Sequence, residues 1–108
     1  MQLQDLLYGV TIKELVGRTD RTVNALNFDS RKVTNDDVFF AIVGTAADGH
    51  LFINQTVEQG AKVIVCENLP EIDNFDVTYV KVDNSAVALG IMAGNFYGNP
   101  SADLKLLG

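Results

Sequence analysis

The sequence predicts an α/β domain: a mixed, mostly parallel β-sheet of about five strands with helices on both faces. Three observations carry that reading. Short continuous apolar runs, Val38-Phe39-Phe40-Ala41-Ile42-Val43 and Val63-Ile64-Val65-Cys66, read as strands buried on both faces. Segments with helical spacing alternate with such runs through the second half, the pattern that lays helices over a parallel sheet. The first third is richer in β-type runs, which makes the sheet mixed rather than wholly parallel. With 108 residues there is room for one domain with a real core.

Leu3, Leu6, Leu7 and Val10 recur at i, i+3, i+4 and i+7, one face of a short amphipathic helix that Gly9 loosens. Residues 12–16 and 23–28 are short β-type runs separated by the polar turn Gly17-Arg18-Thr19-Asp20-Arg21. Asn35-Asp36-Asp37 is a turn that feeds the strand over residues 38–43. Residues 50–59 read as a helix with Ile53 and Val57 on one face and Gly60 as its left-handed C-cap. A strand over residues 63–66 follows at once, then a loop over residues 69–76 containing Pro70, then a strand over residues 78–82. Asn84 or Ser85 can cap a helix in which Leu89, Met92, Ala93 and Phe96 share a face, and Gly98 and Pro100 end it. Residues 104–107 form a last strand that closes on Gly108. A strand followed by glycine usually runs on into a loop and a covering helix, so the chain is expected to be the N-terminal portion of a longer protein.

Composition narrows the partners. The net charge is −6 and the 8 Lys and Arg residues are scattered, which is the wrong electrostatics for nucleic acid. An apolar fraction of 47% belongs to a packed protein. Cys66 stands alone, so no internal disulfide forms, and His50 and Cys66 have no partners for a zinc site. The start Met1-Gln2-Leu3-Gln4-Asp5 has no basic leader, and no apolar run nears the roughly 18 residues of a membrane helix. A cytoplasmic domain without membrane contact is expected.

Two small-residue loops flank the run over residues 38–43. The first is Asp29-Ser30-Arg31-Lys32 and the second Gly44-Thr45-Ala46-Ala47-Asp48-Gly49-His50. Loops of this kind at the ends of a rigid sheet expose backbone N–H groups and short hydroxyls to a nucleotide-like ligand. The Ser30 hydroxyl can read a carbonyl or imide edge and Arg31 can meet an anionic oxygen. Alternatively, Asp29 and Ser30 close a turn through local side-chain to backbone bonds. Asp48 can accept first-turn N–H bonds, Gly49 can take an unusual backbone angle, and His50 can bond across to the first of these two loops. A simple N-cap with a structural histidine explains Asp48 and His50 as well. Small residues at Thr45, Ala46 and Ala47 let a ligand ring lie against backbone. Cys66 reads as a buried small hydrophobe and Phe96-Tyr97 as helix-end packing, while Asp5, Asp36 and Asp37 read as solvated turn residues rather than metal ligands. No nucleophile triad, paired catalytic carboxylates or phosphate loop is present in the sequence.

Taken together, these residues resemble the N-terminal, UDP-substrate-binding domain of the Mur ligases, most closely the MurE type. The likeness rests on Phe28-Asp29-Ser30-Arg31-Lys32-Val33, Asp37-Val38-Phe39-Phe40-Ala41, Gly44, Asp48-Gly49-His50 with Phe52-Ile53, and Gly60-Ala61. A second marker is Phe96-Tyr97-Gly98-Asn99-Pro100-Ser101, followed by Leu104-Lys105-Leu106-Leu107-Gly108, a tail that in the MurE pattern leads into a phosphate loop. The family turn is usually Pro-Gly-Asp where this chain has Asn35-Asp36-Asp37, and Thr56 stands where the helix commonly carries alanine.

The resemblance implies a division of labour. The first domain holds the UDP end of UDP-N-acetylmuramoyl-L-alanyl-D-glutamate, the central domain binds ATP and Mg²⁺, and the last recruits a diamino acid for peptidoglycan precursor synthesis. ATP converts the substrate carboxylate to an acyl phosphate, which the amine displaces. Carried across by position, Ser30 and Phe28 line the uridine pocket opposite Thr45, Ala46 and Ala47. Asp29, Arg31, Asp48, Gly49 and His50 shape the loops, with Arg31 towards the diphosphate. No catalytic group, metal or cofactor is then expected within this chain, which alone binds weakly and catalyses nothing. Two alternatives are the first domain of the MurF type, which adds D-alanyl-D-alanine, and a free-standing α/β binding module.

Overall fold

The computed structural model describes residues 2–43, 48–70 and 76–97. Among these residues five strands form one sheet: β1 (Ile12–Val16), β2 (Leu26–Asn27), β3 (Val38–Phe40), β4 (Val63–Cys66) and β5 (Thr78–Val82), in the order β1-β5-β4-β3-β2. Strands β2 to β5 run parallel and β1 lies antiparallel on β5, so the expected mixed sheet is found. Helices α1 (Leu3–Leu6) and α3 (Ser85–Tyr97) pack on one face and α2 (Ile53–Gln59) on the other.

The alternation of side chains along a strand sorts the apolar runs into two cores. Val38, Phe40, Val63, Val65, Val80 and Val82 meet Leu3, Leu6, Leu7, Ala88 and Met92 on the first face. Phe39, Ala41, Ile64, Cys66 and Tyr79 meet Val33, Ile53 and Ala61 on the second. Phe39 and Phe40 are consecutive, point oppositely and are each no more than 1% exposed, contributing roughly 1.5–3 kcal/mol apiece. Such burial on both sides is why these strands read as unbroken apolar runs.

Several elements are shorter than their sequence patterns, each for a local reason. The first helix stops at Leu6 because the chain turns through Gly9, though Leu3, Leu6 and Leu7 are buried as the spacing predicts. The ladder of β2 covers only two residues, since Asp29 turns the chain away just beyond it. Strand β3 ends at Phe40, and the chain then folds back so that Gly49 N–H donates to the Ile42 carbonyl at 2.9 Å. The predicted helix over residues 50–59 begins as a 3₁₀ turn, Gly49–Phe52, before α2 proper. Asn84 rather than Ser85 caps α3, its Oδ1 accepting from Ala86 and Val87 N–H at 3.0 and 3.1 Å. Thr56, fully buried, returns its hydroxyl to the Ile53 carbonyl at 2.8 Å and is thus a packing matter. Phe96 packs on the first core and meets Tyr97 edge-on at 4.8 Å. The stop at Gly98 and Pro100, the strand over residues 104–107 and positions 71–75 of the loop lie outside the described residues.

Gly60 closes α2 with φ of 117°, the left-handed C-cap expected of it. A Cβ there would also stand 2.8 Å from the Asn35 Cα, so the helix end and the turn before β3 fit only around glycine. Gly60→Ala should lower unfolding free energy by about 2 kcal/mol or more, combining a strained φ with a backbone clash. Urea unfolding checks this: the midpoint falls with m unchanged, whereas an unmoved midpoint would refute the fit.

Candidate functional site

Beyond the carboxyl ends of β2 and β3 the chain builds two capped 3₁₀ turns. In the first, Ser30–Lys32, Asp29 is the N-cap and its Oδ1 accepts from Arg31 N–H at 3.0 Å. The Arg31 guanidinium folds back on the same carboxylate, Nε to Oδ1 at 3.1 Å and Nη2 to Oδ2 at 3.0 Å. The turn-closing reading of Asp29 therefore holds, and Arg31, 84% exposed along its side chain, already has its charge paired. The guanidinium and then the backbone N–H of Arg31 hold the Asp29 carboxyl down at about 2.

The second turn, Gly49–Phe52, is capped by Asp48, whose Oδ1 accepts from His50 N–H at 2.9 Å. His50 Nδ1 lies 2.6 Å from the same oxygen, while Nε2 accepts from Glu67 and Asn68 N–H at 3.0 and 3.2 Å. Those two donors make Nε2 the unprotonated nitrogen, so the ring is the neutral Nδ1–H tautomer donating to Asp48. The backbone and ring N–H groups of His50 together lower the Asp48 carboxyl. The expected bond from His50 to the loop carrying Ser30 is not made; the ring bonds instead to the loop after β4, whose backbone N–H groups lie nearer to it. Gly49 is needed for closeness, not for an unusual angle: a Cβ there would stand 2.7 Å from the Ile42 nitrogen.

The two turns enclose an open cleft of about 490 Å³ lined by Phe28, Asp29, Ser30, Arg31, Ile42, Gly49, Phe52 and Gln55. Five residues singled out in the sequence thus converge: Phe28, Asp29, Ser30, Arg31 and Gly49. Asp48 and His50 do not line the cleft but brace its second turn, and Thr45, Ala46 and Ala47 lie outside the described residues. Phe28 is 66% exposed, an apolar ring left in solvent at the cleft wall. Sequence reading missed Ile42, Phe52 and Gln55; the spacing of Phe52, Gln55 and Gln59 at i, i+3 and i+7 was the available signal. A hollow of about 570 Å³ at the opposite edge is lined by turn residues, including Thr22, Thr34 and Asn35. Ligands of open parallel sheets bind at the carboxyl edge, which favours the smaller cleft.

The described lining of the cleft offers hydroxyl, backbone and apolar ring surfaces. Cys66 is fully buried as predicted, and burial pushes its thiol up to about 12. Asp37, expected in a solvated turn, is instead 1% exposed and fully engaged by Asn24, Asn27 and Thr34. Among the described residues no three His, Cys, Asp or Glu side chains are grouped to hold a metal. With no glycine-rich Lys loop in the sequence either, the donor set does not fit Mg²⁺ and ATP. Among the described residues no helix is long and apolar enough to cross a membrane.

Residues 22–97 match the family described as "Mur ligase family, catalytic domain". The chain belongs to the Mur ligase family. It is 49% identical to a UDP-N-acetylmuramoyl-L-alanyl-D-glutamate–2,6-diaminopimelate ligase of Cytophaga hutchinsonii, covering 100% of this chain and 22% of that protein. A Clostridium tetani protein of the same name is 42% identical, with 100% of this chain and 23% of that one covered. The chain therefore spans under a quarter of the length of these Mur ligase relatives. Its fold matches a crystal structure of MurF from Acinetobacter baumannii with TM-score 0.72 and 23% identity, over 87% of this chain and 20% of that one. MurF from Thermotoga maritima, solved with ADP, gives 0.61 and 28% over 71% of this chain and 17% of that one.

The capped turns of this Mur ligase domain carry an acid dependence. Asp29 and Asp48 are both more acidic when folded than the usual aspartate value of 3.8, so in the acid range the folded state binds fewer protons than the unfolded one. Their stabilisation is complete above the unfolded value and disappears as pH drops through the folded ones, for Asp29 at about 2. Unfolding midpoints followed from pH 6 to pH 2 should fall, and Asp29→Asn should flatten part of that slope. An identical slope in the variant would contradict the pairing.

Proposed function

We propose that this chain anchors the UDP end of UDP-N-acetylmuramoyl-L-alanyl-D-glutamate in a cytoplasmic, ATP-dependent ligase that adds a diamino acid to it. The observation that carries the reading is the convergence of Phe28, Ser30 and Gly49 on one cleft beyond the carboxyl ends of β2 and β3. Uracil presents a flat face and an edge of alternating acceptors and donor. The exposed Phe28 ring supplies an apolar surface for such a face, and the Ser30 hydroxyl can both donate to and accept from the edge. Thr45, Ala46 and Ala47 are proposed as the facing loop. Asp29, Asp48 and His50 brace the turns. Arg31, paired with Asp29, meets the diphosphate only by sharing its guanidinium.

The names of the sequence relatives favour this substrate and support 2,6-diaminopimelate as the amino acid added. The MurF structures share the fold, and their lower identity makes the D-alanyl-D-alanine-adding type the second reading. Because the donor set here suits neither ATP nor Mg²⁺, both are assigned to the remainder of the full-length protein. This chain by itself is assigned no catalysis. Its part is to hold one end of the substrate so that the reacting carboxylate is placed elsewhere.

Ser30→Ala in the full-length ligase should raise KM for the UDP-linked substrate roughly tenfold while KM for ATP stays put. Steady-state kinetics with each substrate varied separately makes the comparison. Unchanged constants for both would remove Ser30 from the site.

A further inference from the structure

The turn that carries Ser30 is tied to α2 by a side chain outside the cleft. Gln59, the last residue of α2, is half-buried, and its Nε2 donates to the Ser30 carbonyl at 2.5 Å and the Val33 carbonyl at 3.2 Å. Both partners are carbonyls, so only the NH₂ end of the amide can face them. The other end is fixed as well, because Gln59 Oε1 accepts from Gln55 Nε2 at 3.1 Å. Gln55 itself lines the cleft. An unbroken path therefore runs from the cleft wall through Gln55 and Gln59 to the backbone of Ser30. Gln59 and Ser30 lie 29 positions apart in the chain, and the local support of the 3₁₀ turn comes from Asp29, through its side-chain cap and its carbonyl, which accepts from Lys32 N–H at 3.0 Å.

We infer that Gln59 is a positioning residue for substrate binding: it sets where the Ser30 hydroxyl stands by holding the Ser30 carbonyl, with Gln55 fixing its amide. The inference rests on the reading of the cleft as the UDP site. A ligand that bonds to Ser30 then meets a hydroxyl already placed. Without Gln59 the turn keeps its Asp29 cap and the Val33 packing but loses its hydrogen-bonded tie to α2 at Ser30, and ordering that residue falls to the substrate. The loss appears in binding rather than in the chemical step.

The test uses the full-length ligase with Gln59→Leu, Gln59→Lys and Ser30→Ala. Gln59→Leu removes the donor and should raise KM for the UDP-linked substrate roughly five- to thirty-fold, leaving kcat and KM for ATP within about twofold. Gln59→Lys restores a donor on a stem of similar reach and should recover most of that loss. If Ser30→Ala raises KM and Gln59→Leu does not, the positioning role is wrong while the cleft stands. If Gln59→Leu instead lowers kcat, raises both KM values and lowers Tm together, its role is structural and the inference is overturned. If neither variant affects the UDP-linked substrate, the cleft is misassigned and the inference falls with it.

Discussion

Asp37, at the foot of β3 and 1% exposed, fastens the connection on which the cleft is built. Its Oδ2 accepts from Asn27 Nδ2 at 2.8 Å and from Thr34 N–H and Oγ1 at 2.9 and 3.2 Å, while Oδ1 accepts from Asn24 Nδ2 at 3.2 Å. These donors lie before β2, on β2 and on the return from the Ser30 turn. One side chain thus holds both ends of the excursion to the residue just before β3. A buried carboxylate is tolerable only when its oxygens are filled in this way, and each bond to a charged acceptor is worth about 1.5–3 kcal/mol. A two-residue edge strand could not otherwise hold its register against β3.

At the opposite edge the loops are joined laterally instead. Asp48 holds His50, His50 takes the Glu67 N–H, and the Glu67 carboxylate accepts from Ser85 N–H at 2.9 Å where α3 begins. That carboxylate also sits favourably at the positive end of the helix. The path crosses the ends of β3, β4 and β5, so the second cleft turn inherits the rigidity of the sheet. The first turn depends on α2. The cleft is framed by two turns with different anchors.

Much of this was legible in the chain, because the informative residues act locally or with a period. Residues 12–16, 63–66 and 78–82 read as strands with the bounds they have, the left-handed Gly60 follows from residue type, and residue type narrows the α3 cap to Asn84 or Ser85, between which the structure chooses Asn84. What was not legible depends on partners distant in sequence. Asp37 reads as a turn residue until Asn24 and Asn27 are brought beside it. Gly49 reads as a conformational need until the Ile42 backbone arrives under it. Phe52, Gln55 and Gln59 share a helical face, but only the fold shows that this face meets the Ser30 turn. Spacing could place Ser30 in a loop, whereas the Mur ligase resemblance was needed to suggest what it holds.

The burial of Cys66 has a practical corollary. It is the sole cysteine of the chain, packed at the end of β4 with its thiol pushed up to about 12. Burial keeps it in the unreactive thiol form at neutral pH and out of reach of solvent. To alkylating or maleimide reagents the folded chain behaves as though it had no cysteine at all. A single cysteine introduced on the rim of the cleft would be the one labelled position, ready for a fluorophore or spin label without prior removal of the native thiol.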